Sequence, residues 1–330
     1  MTLNTVLVTG AAGYVGTEVV KQLLELDVEV TALDLAKPVY AVPWINVDFT
    51  DRAALESALD GRNFDVIMHV ASLPGDTGDP YQMMNVNVSG TLNMLEQARR
   101  LEVKRFVQVS SISTYEWYPA TKFNPPDYMP VDEDHHCRPK DMYSTSKRMQ
   151  ELLCLTYWWQ YKVPTVAIRL TAVVGAHAKG GGRGWRVFAE QMAEGKRIEI
   201  PHFTAEELCH YVDVRDVARM LIAVAENENA VGEVFNCCGP RAVRGYEIAE
   251  WVRELVPGVE VVYGFPWSMA QGGEIEFSME KAKKLIGFEP RYSMKDSIAY
   301  IKEWIDAGGL REDKPAADES YGNGVDSPKE

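Results

Sequence analysis

Residues 9–16 read TGAAGYVG and stand between an apolar β-branched run, Thr5–Thr9, and a helix-like pattern over Val15–Leu26. No other short stretch restricts the fold as much. Gly10, Gly13 and Gly16 permit a turn too tight for side chains. They also let main-chain N–H groups near Tyr14 and Val15, at the start of the helix, approach an anion.

The rest of the first half repeats a strand–helix rhythm. Short β-branched runs at Val28–Asp34, Asp65–Val70, Arg105–Ser110 and Pro164–Leu170 alternate with helical patterns at Asp51–Leu59, Gln82–Leu101 and Met142–Tyr161. Strands spaced by such helices predict right-handed crossovers and an α/β, Rossmann-type, doubly wound parallel sheet. After Leu170 the rhythm breaks at the glycine-rich GAHAKGGGRGW (175–185) and resumes at HYVDVRDVARMLIAVAE (210–226) and GEVFNCCG (232–239). The expected division is a nucleotide-binding domain of residues 1–170 plus 211–242. A smaller, discontinuous C-terminal substrate lobe takes 171–210 plus 243–306. Residues 307–330 are polar, aperiodic and rich in Gly, Pro and acids, which predicts a disordered tail.

In this setting the glycine turn reads as a pyrophosphate site. Asp34 closes the second strand 18 residues beyond Gly16. There its carboxylate can accept hydrogen bonds from an adenosine ribose, and its charge opposes a 2′-phosphate, favouring NAD over NADP. Lys37 lies close by. Asp48 and Phe49 in VDFTD are placed to border the adenine. Val70, Ala71 and Ser72 leave the fourth strand, and the small Ala71 makes room for the cofactor backbone. His69 reads as a packed strand residue.

The fifth strand ends at Val109, Ser110 and Ser111, and strand C-termini of an open parallel sheet border the ligand crevice. Tyr143 and Lys147 follow, one helical turn apart on one helix face. A phenol, with a pKa of about 10, is a poor base at neutral pH, but a neighbouring ammonium favours its phenolate. Tyr143 can then exchange a proton with an alcohol or ketone while hydride passes to or from a nicotinamide. Ser111 would hold the substrate oxygen, and Lys147 would also hold the nicotinamide ribose. The catalytic expectation is Ser111, Tyr143 and Lys147.

Composition narrows the partners. The 330-residue chain has a formal net charge of −14 and no dense Lys/Arg block, which argues against nucleic acid or an anionic membrane. The N-terminus lacks the basic and apolar regions of a signal peptide, and no apolar run reaches membrane-spanning length. The five cysteines form no CxxC or paired framework, so reduced thiols in a cytoplasmic protein are expected. The six histidines lack metal-ligand spacing, and no metal is expected.

Over about residues 3–300 the chain resembles the extended short-chain dehydrogenase/reductase superfamily, also called the NAD-dependent epimerase/dehydratase family. The matching segments include TGAAGYVG, DFTD, NVNVSGTLNMLEQAR (85–99), RFVQVSSISTY (105–115), PKDMYSTSK (139–147), AIRL (167–170), YVDVRDVA (211–218) and GFEPRYSMKDSI (287–298). The resemblance implies NAD as cofactor and a support for its site at Asn87. It selects Ser111 over Ser110, because Tyr115 follows four residues later. It also implies a homodimer through a four-helix interface, although the apolar LLCLTYWWQY (152–161) can equally face the sheet.

Two departures shape the substrate expectation. Sugar-nucleotide members place an Asn three residues after the Arg matched by Arg169, where this chain has Ala172. They place Arg-Asp where it has Cys209 and His210. Arg183, Arg186 and Arg291 are candidate replacements. Ile112 and Ser113 stand where 4,6-dehydratases carry Asp-Glu. The aromatic, proline-rich loop 115–129 can wall a ring-shaped substrate. The expectation is an NAD-dependent oxidoreductase interconverting a secondary alcohol and a ketone on a small hydroxylated, sugar-like substrate. The alternatives are a nucleotide-sugar 4-epimerase with atypical anchors and a non-catalytic NAD-binding sensor.

Overall fold

Strand β1 (Thr5–Thr9) is Thr-Val-Leu-Val-Thr, buried along almost its whole length near the middle of a seven-stranded sheet. The computed structural model describes residues 1–75, 79–116, 120–177, 183–264 and 270–312. The other sheet strands are β2 (Glu29–Leu33), β3 (Trp44–Ile45), β4 (Val66–His69), β5 (Arg105–Ser111), β6 (Thr165–Leu170) and Val234–Cys237. Their order is β3-β2-β1-β4-β5-β6-(234–237), and every pairing in it is parallel. The order reverses between β1 and β4, and a crevice outside the strand C-termini at such a reversal is where open α/β sheets take ligands.

Alternation along the strands separates two cores. Val6, Val8, Met68 and Val107 face α1 (Tyr14–Glu25) and the helix Val214–Glu226. Leu7, Ile67 and Phe106 face the other way, onto α2 (Arg52–Leu59), α4 (Gly90–Arg100) and α5 (Met142–Tyr161), which contribute Leu55, Met94, Leu95 and Cys154. A third cluster joins Trp185, Phe188, Ile198, Ile248, Phe277, Ile298 and Trp304, C-terminal to β6, with Tyr14 and Ile112 from the sheet's ligand end. Small two-stranded pieces serve this part, Ala172–Val174 pairing with Tyr211–Asp213 and Arg197–Glu199 with Glu260–Val262.

The expected β1 and α5 have the observed boundaries, the expected strands at 28–34, 65–70, 105–110 and 164–170 agree to within a residue at each end, and the strand expected in GEVFNCCG (232–239) is two residues shorter at each end, Val234–Cys237. Two features differ from the periodic reading. The edge strand β3 has two residues, too few to show a period. The pattern expected at Gln82–Leu101 starts earlier, with α3 (Pro80–Met83) capped by Asp79, and loosens into π-type turns over Met84–Ser89 before α4. At the C-terminus Gly309–Glu312 is helical. The remainder of the expected tail, 313–330, lies outside the described residues.

The C-terminal part is clamped to the sheet by buried charge. Asp213 accepts both Arg215 Nε and Nη2 at 2.8 Å and the Ser297 hydroxyl at 2.6 Å. The Arg215 guanidinium lies 3.7 Å from the Tyr292 ring centroid and 4.2 Å from that of Tyr300. Replacing Arg215 by Ala leaves a buried carboxylate short of its counter-charge, and a loss of about 3 kcal/mol is expected, read from the urea midpoint. Arg215→Lys should recover little, because an ammonium cannot make the bidentate pair and stack at once.

Buried His69 and His210 give stability its acid dependence. Burial lowers His69 to about 3 and His210 to about 4, so both stay neutral in the folded protein. Unfolded, each titrates near 6.5, so the unfolded chain binds more protons below that pH and stability falls as pH drops from 6.5 towards 4. The expected slope is about 1.4 kcal/mol per pH unit for each histidine, measured by urea unfolding across that range.

Candidate active site

The glycine turn is held by backbone packing. Gly10 has φ of 67°, and a Cβ there would lie 2.8 Å from Ala71 Cα, while one on Gly16 would lie 2.0 Å from the Gly10 carbonyl oxygen. Helix α1 therefore starts against the ends of β1 and β4. Its N-cap, Gly13, makes no side-chain cap and its first turn has no acidic residue, so no side chain of its own first turn neutralises the positive helix end. This cradle of bare backbone fits a pyrophosphate. The Tyr14 side chain turns away into the third core, where burial pushes its phenol well up, leaving its main-chain N–H at the helix end.

Asp34 stands at the tip of β2. Its Oδ2 accepts the Ala12 N–H and its Oδ1 the Ala36 N–H, each at 2.9 Å, so the carboxylate ties the glycine turn to the strand end and is held in a fixed orientation. Asp48 instead accepts the N–H and hydroxyl of Thr50 at 2.9 and 2.8 Å. Phe49 packs beneath Gly90, where a Cβ would meet its ring at 2.3 Å, and meets the His69 ring edge-on at 5.4 Å. His69 bridges the Thr9 and Thr91 hydroxyls at 2.7 and 3.1 Å, a packed strand residue as the sequence suggested.

Asn87, within the π-type turns, supports the next stretch. Its Oδ1 accepts the Leu73 N–H at 2.7 Å and the Ser72 hydroxyl at 3.0 Å, and its Nδ2 donates to the Leu73 carbonyl and to Ser146 Oγ. The segment leaving β4 through Val70, Ala71 and Ser72 is thus stapled to α5.

Asp141 caps α5 by accepting the Ser144 N–H at 2.7 Å, which places Tyr143 in the first turn and Lys147 one turn on. Lys147 is 2% exposed, donates to the Val109 carbonyl at 3.1 Å, and holds Nζ 5.8 Å from the Tyr143 ring centroid. Burial lowers Lys147 to about 7, with Glu151 pulling the other way. Burial also raises Tyr143 to about 12, opposed by the Ser111 hydroxyl and reinforced by Asp141. The ammonium was expected to lower the phenol; with the protein's own groups, burial wins. Making the phenolate at pH 7 then costs about 7 kcal/mol, so Tyr143 rests as a proton donor. The structure brings Ser111, Tyr143 and Lys147 together at the end of β5.

The positions that lack sugar-nucleotide anchors are structural. Cys209 is fully buried, and His210 donates through Nε2 to the Gly239 carbonyl at 2.8 Å and accepts the Phe277 N–H at Nδ1 at 3.0 Å. Of the suggested replacements, Arg186 pairs with Glu190 at 2.9 Å and lies over Trp304, and Arg291 is exposed with its N–H on Asp216. The side chain of Arg183 lies outside the described residues, as do 117–119 of the aromatic loop.

Sequence reasoning missed Glu151. It is buried beneath the site and paired with Arg169, whose guanidinium also lies 4.7 Å from the Tyr115 ring centroid. Its signal is the spacing: Tyr143, Lys147 and Glu151 recur every fourth residue on one helix.

A doubly wound parallel sheet with a glycine turn at its strand-order reversal and a carboxylate at the tip of β2 defines a Rossmann-type fold. The model of the NAD dependent epimerase/dehydratase family matches residues 6–238, and the chain belongs to that family. It is 25% identical over 91% of its length to a probable UDP-glucuronate 4-epimerase of Rhizobium meliloti, of which the match covers 96%. Among solved structures, the NAD complex of Thermus thermophilus UDP-glucose 4-epimerase superposes with a TM-score of 0.76 at 25% identity, covering 91% of this chain and 98% of that one. The epimerase Mth375 of Methanothermobacter thermautotrophicus gives 0.81 at 24% identity, with 94% of each chain covered.

Two variants probe the cofactor end. Gly16→Ala forces a Cβ into the Gly10 carbonyl, and loss of NAD retention on gel filtration is expected in a protein that stays folded by circular dichroism. Asp34→Ala removes the carboxylate opposing a 2′-phosphate, and the NAD-over-NADP binding ratio should fall by about tenfold or more in fluorescence titration.

Proposed function

We propose that this protein is an NAD-dependent oxidoreductase of the extended short-chain dehydrogenase/reductase type, acting on a secondary alcohol or ketone of a small hydroxylated, sugar-like substrate. The observation that carries the reading is the meeting of Ser111, Tyr143 and Lys147 where the end of β5 meets α5. Ser111 positions the substrate oxygen. Tyr143 gives a proton to a carbonyl or takes one from a hydroxyl. Lys147, held by Val109, faces the ribose of the cofactor and supplies positive charge towards the phenol. When bound, NAD would supply the hydride chemistry of that exchange. Since phenolate formation is costly here, positive charge added near Tyr143 favours the oxidising direction.

The substrate side rests on Ala172, Cys209 and His210, which offer no cationic side chain to a diphosphate. A second reading, a UDP-sugar 4-epimerase with atypical anchors, is favoured by the UDP-sugar names of relatives that match nearly the whole chain. On either reading residues 1–170 plus 211–242 form the NAD-binding domain and 171–210 plus 243–306 the substrate lobe. No helix among the described residues is long and apolar enough to cross a membrane; a cytoplasmic location is part of the same proposal. Leu92 on α4 and Leu152 and Trp159 on α5 are exposed by 40, 47 and 69%, an apolar surface suited to a homodimer built from these helices.

The test is a side-by-side screen of free sugars, uronates, hydroxysteroids and UDP-hexoses, read by NADH absorbance and by sugar stereochemistry. NADH production from non-nucleotide alcohols supports the first reading. Epimerised UDP-hexose without net NADH establishes the second. Tyr143→Phe should lower turnover by about 10²-fold or more with NAD still bound. Unchanged behaviour in that variant would identify a non-catalytic sensor.

A further inference from the structure

Glu151 lies on α5 one turn past Lys147 and is 0% exposed. Its Oε1 accepts the Ser110 hydroxyl at 2.6 Å and Arg169 Nε at 2.9 Å. Its Oε2 accepts Arg169 Nη2 at 3.0 Å and Arg148 Nη1 at 2.7 Å. Burial opposes the charge, but Arg169, Ser110 and Arg148 outweigh it and hold Glu151 below the ordinary carboxylate range. One anion thus collects donors from β5, β6 and α5 directly behind Ser111 and Lys147.

Lys147 is less well provided. Its hydrogen-bond partner is the Val109 carbonyl, a neutral group. The titratable groups around it are Tyr143 on its own helix, His69 on β4, held neutral by burial, and Glu151. Around Glu151 stand Arg148 and Cys154 on α5, Arg169 on β6 and Cys137 in the segment before α5, both thiols pushed up by burial. Glu151 is therefore the anion that acts on the buried lysine.

We propose that Glu151 is a positioning residue for the proton-transfer pair: it fastens the Ser110–Ser111 strand end to α5 and places a negative charge one helical turn from Lys147, favouring its ammonium. The proposal rests on the Ser–Tyr–Lys reading for its functional meaning, but its physical content can be measured without a substrate.

The test is an NMR titration of full-length, NAD-loaded protein carrying 13Cε-lysine, with the Lys147 resonance assigned by its loss in Lys147→Arg. In Glu151→Gln the Lys147 midpoint should move down by about one pH unit or more, since a charge one helical turn away is lost. In Arg169→Gln, where Glu151 keeps Ser110 and Arg148 but loses a neutralising cation, the midpoint should move up. Glu151→Asp should lie between Glu151→Gln and the unsubstituted protein. If Glu151→Gln fails to fold, the downward shift in Glu151→Asp decides the matter, since there the carboxylate is drawn back from Lys147 without being lost. Midpoints that coincide across the folded variants overturn the proposal. An intact rate in Tyr143→Phe would instead overturn the Ser–Tyr–Lys reading and leave the titration to judge Glu151 alone.

Discussion

The approach of residue 16 to the Gly10 carbonyl, where a Cβ would stand at 2.0 Å, is the constraint on which the nucleotide end depends. It sets the start of α1 against the C-termini of β1 and β4, at the reversal of strand order. Without it the helix end could not meet a pyrophosphate, and Ala12 could not donate to Asp34. A steric fact about absent side chains thereby brings the start of α1 and the Asp34 carboxylate together.

The chemical end depends on α5 in a different way. Asn87 joins it to the segment leaving β4 through Ser146, and Glu151 joins it to β5 and β6 through Ser110 and Arg169. Lys147 lies between these two buried polar connections. Such networks are useful only when every member is satisfied, and here the partners come from β5, β6, the segment after β4, the π-type turns and α5. The position of Tyr143 relative to Ser111 is thus fixed by the interior of the sheet domain as much as by its own loop.

Much of this was legible in the chain. The β-branched run Thr5–Thr9 and the capped pattern Met142–Tyr161 gave their elements to the residue, because each combines a clear period with a clear boundary residue. The tight turn at Gly10, Gly13 and Gly16 was readable from spacing, since local backbone geometry decides it. Glu151 was not, because its partners Ser110, Arg148 and Arg169 are scattered along the sequence and meet only through β5–β6 pairing. The π-type turns around Asn87 escaped for a similar reason, being stabilised by contacts to Leu73 and Ser146. The inward turn of Tyr14 depends on a core assembled from residues beyond 170. The energetics of Tyr143 also went the other way, because burial is a tertiary quantity that spacing does not carry.

The clamp at Asp213 and Asp216 has a consequence for biosynthesis. Asp213 accepts the Ser297 hydroxyl, and Asp216 accepts the N–H groups of Arg291 and Tyr292 at 2.8 Å. Both acids belong to the stretch that leads into the helix packed on α1, yet these partners emerge from the ribosome about 75 residues later, as the spacing of Asp216 and Arg291 requires. A nascent chain that has completed the parallel sheet still carries two acids bound for burial without their full set of donors. Completion of the nucleotide half therefore waits on the last tenth of the described chain, which makes that segment a late lock on the whole fold.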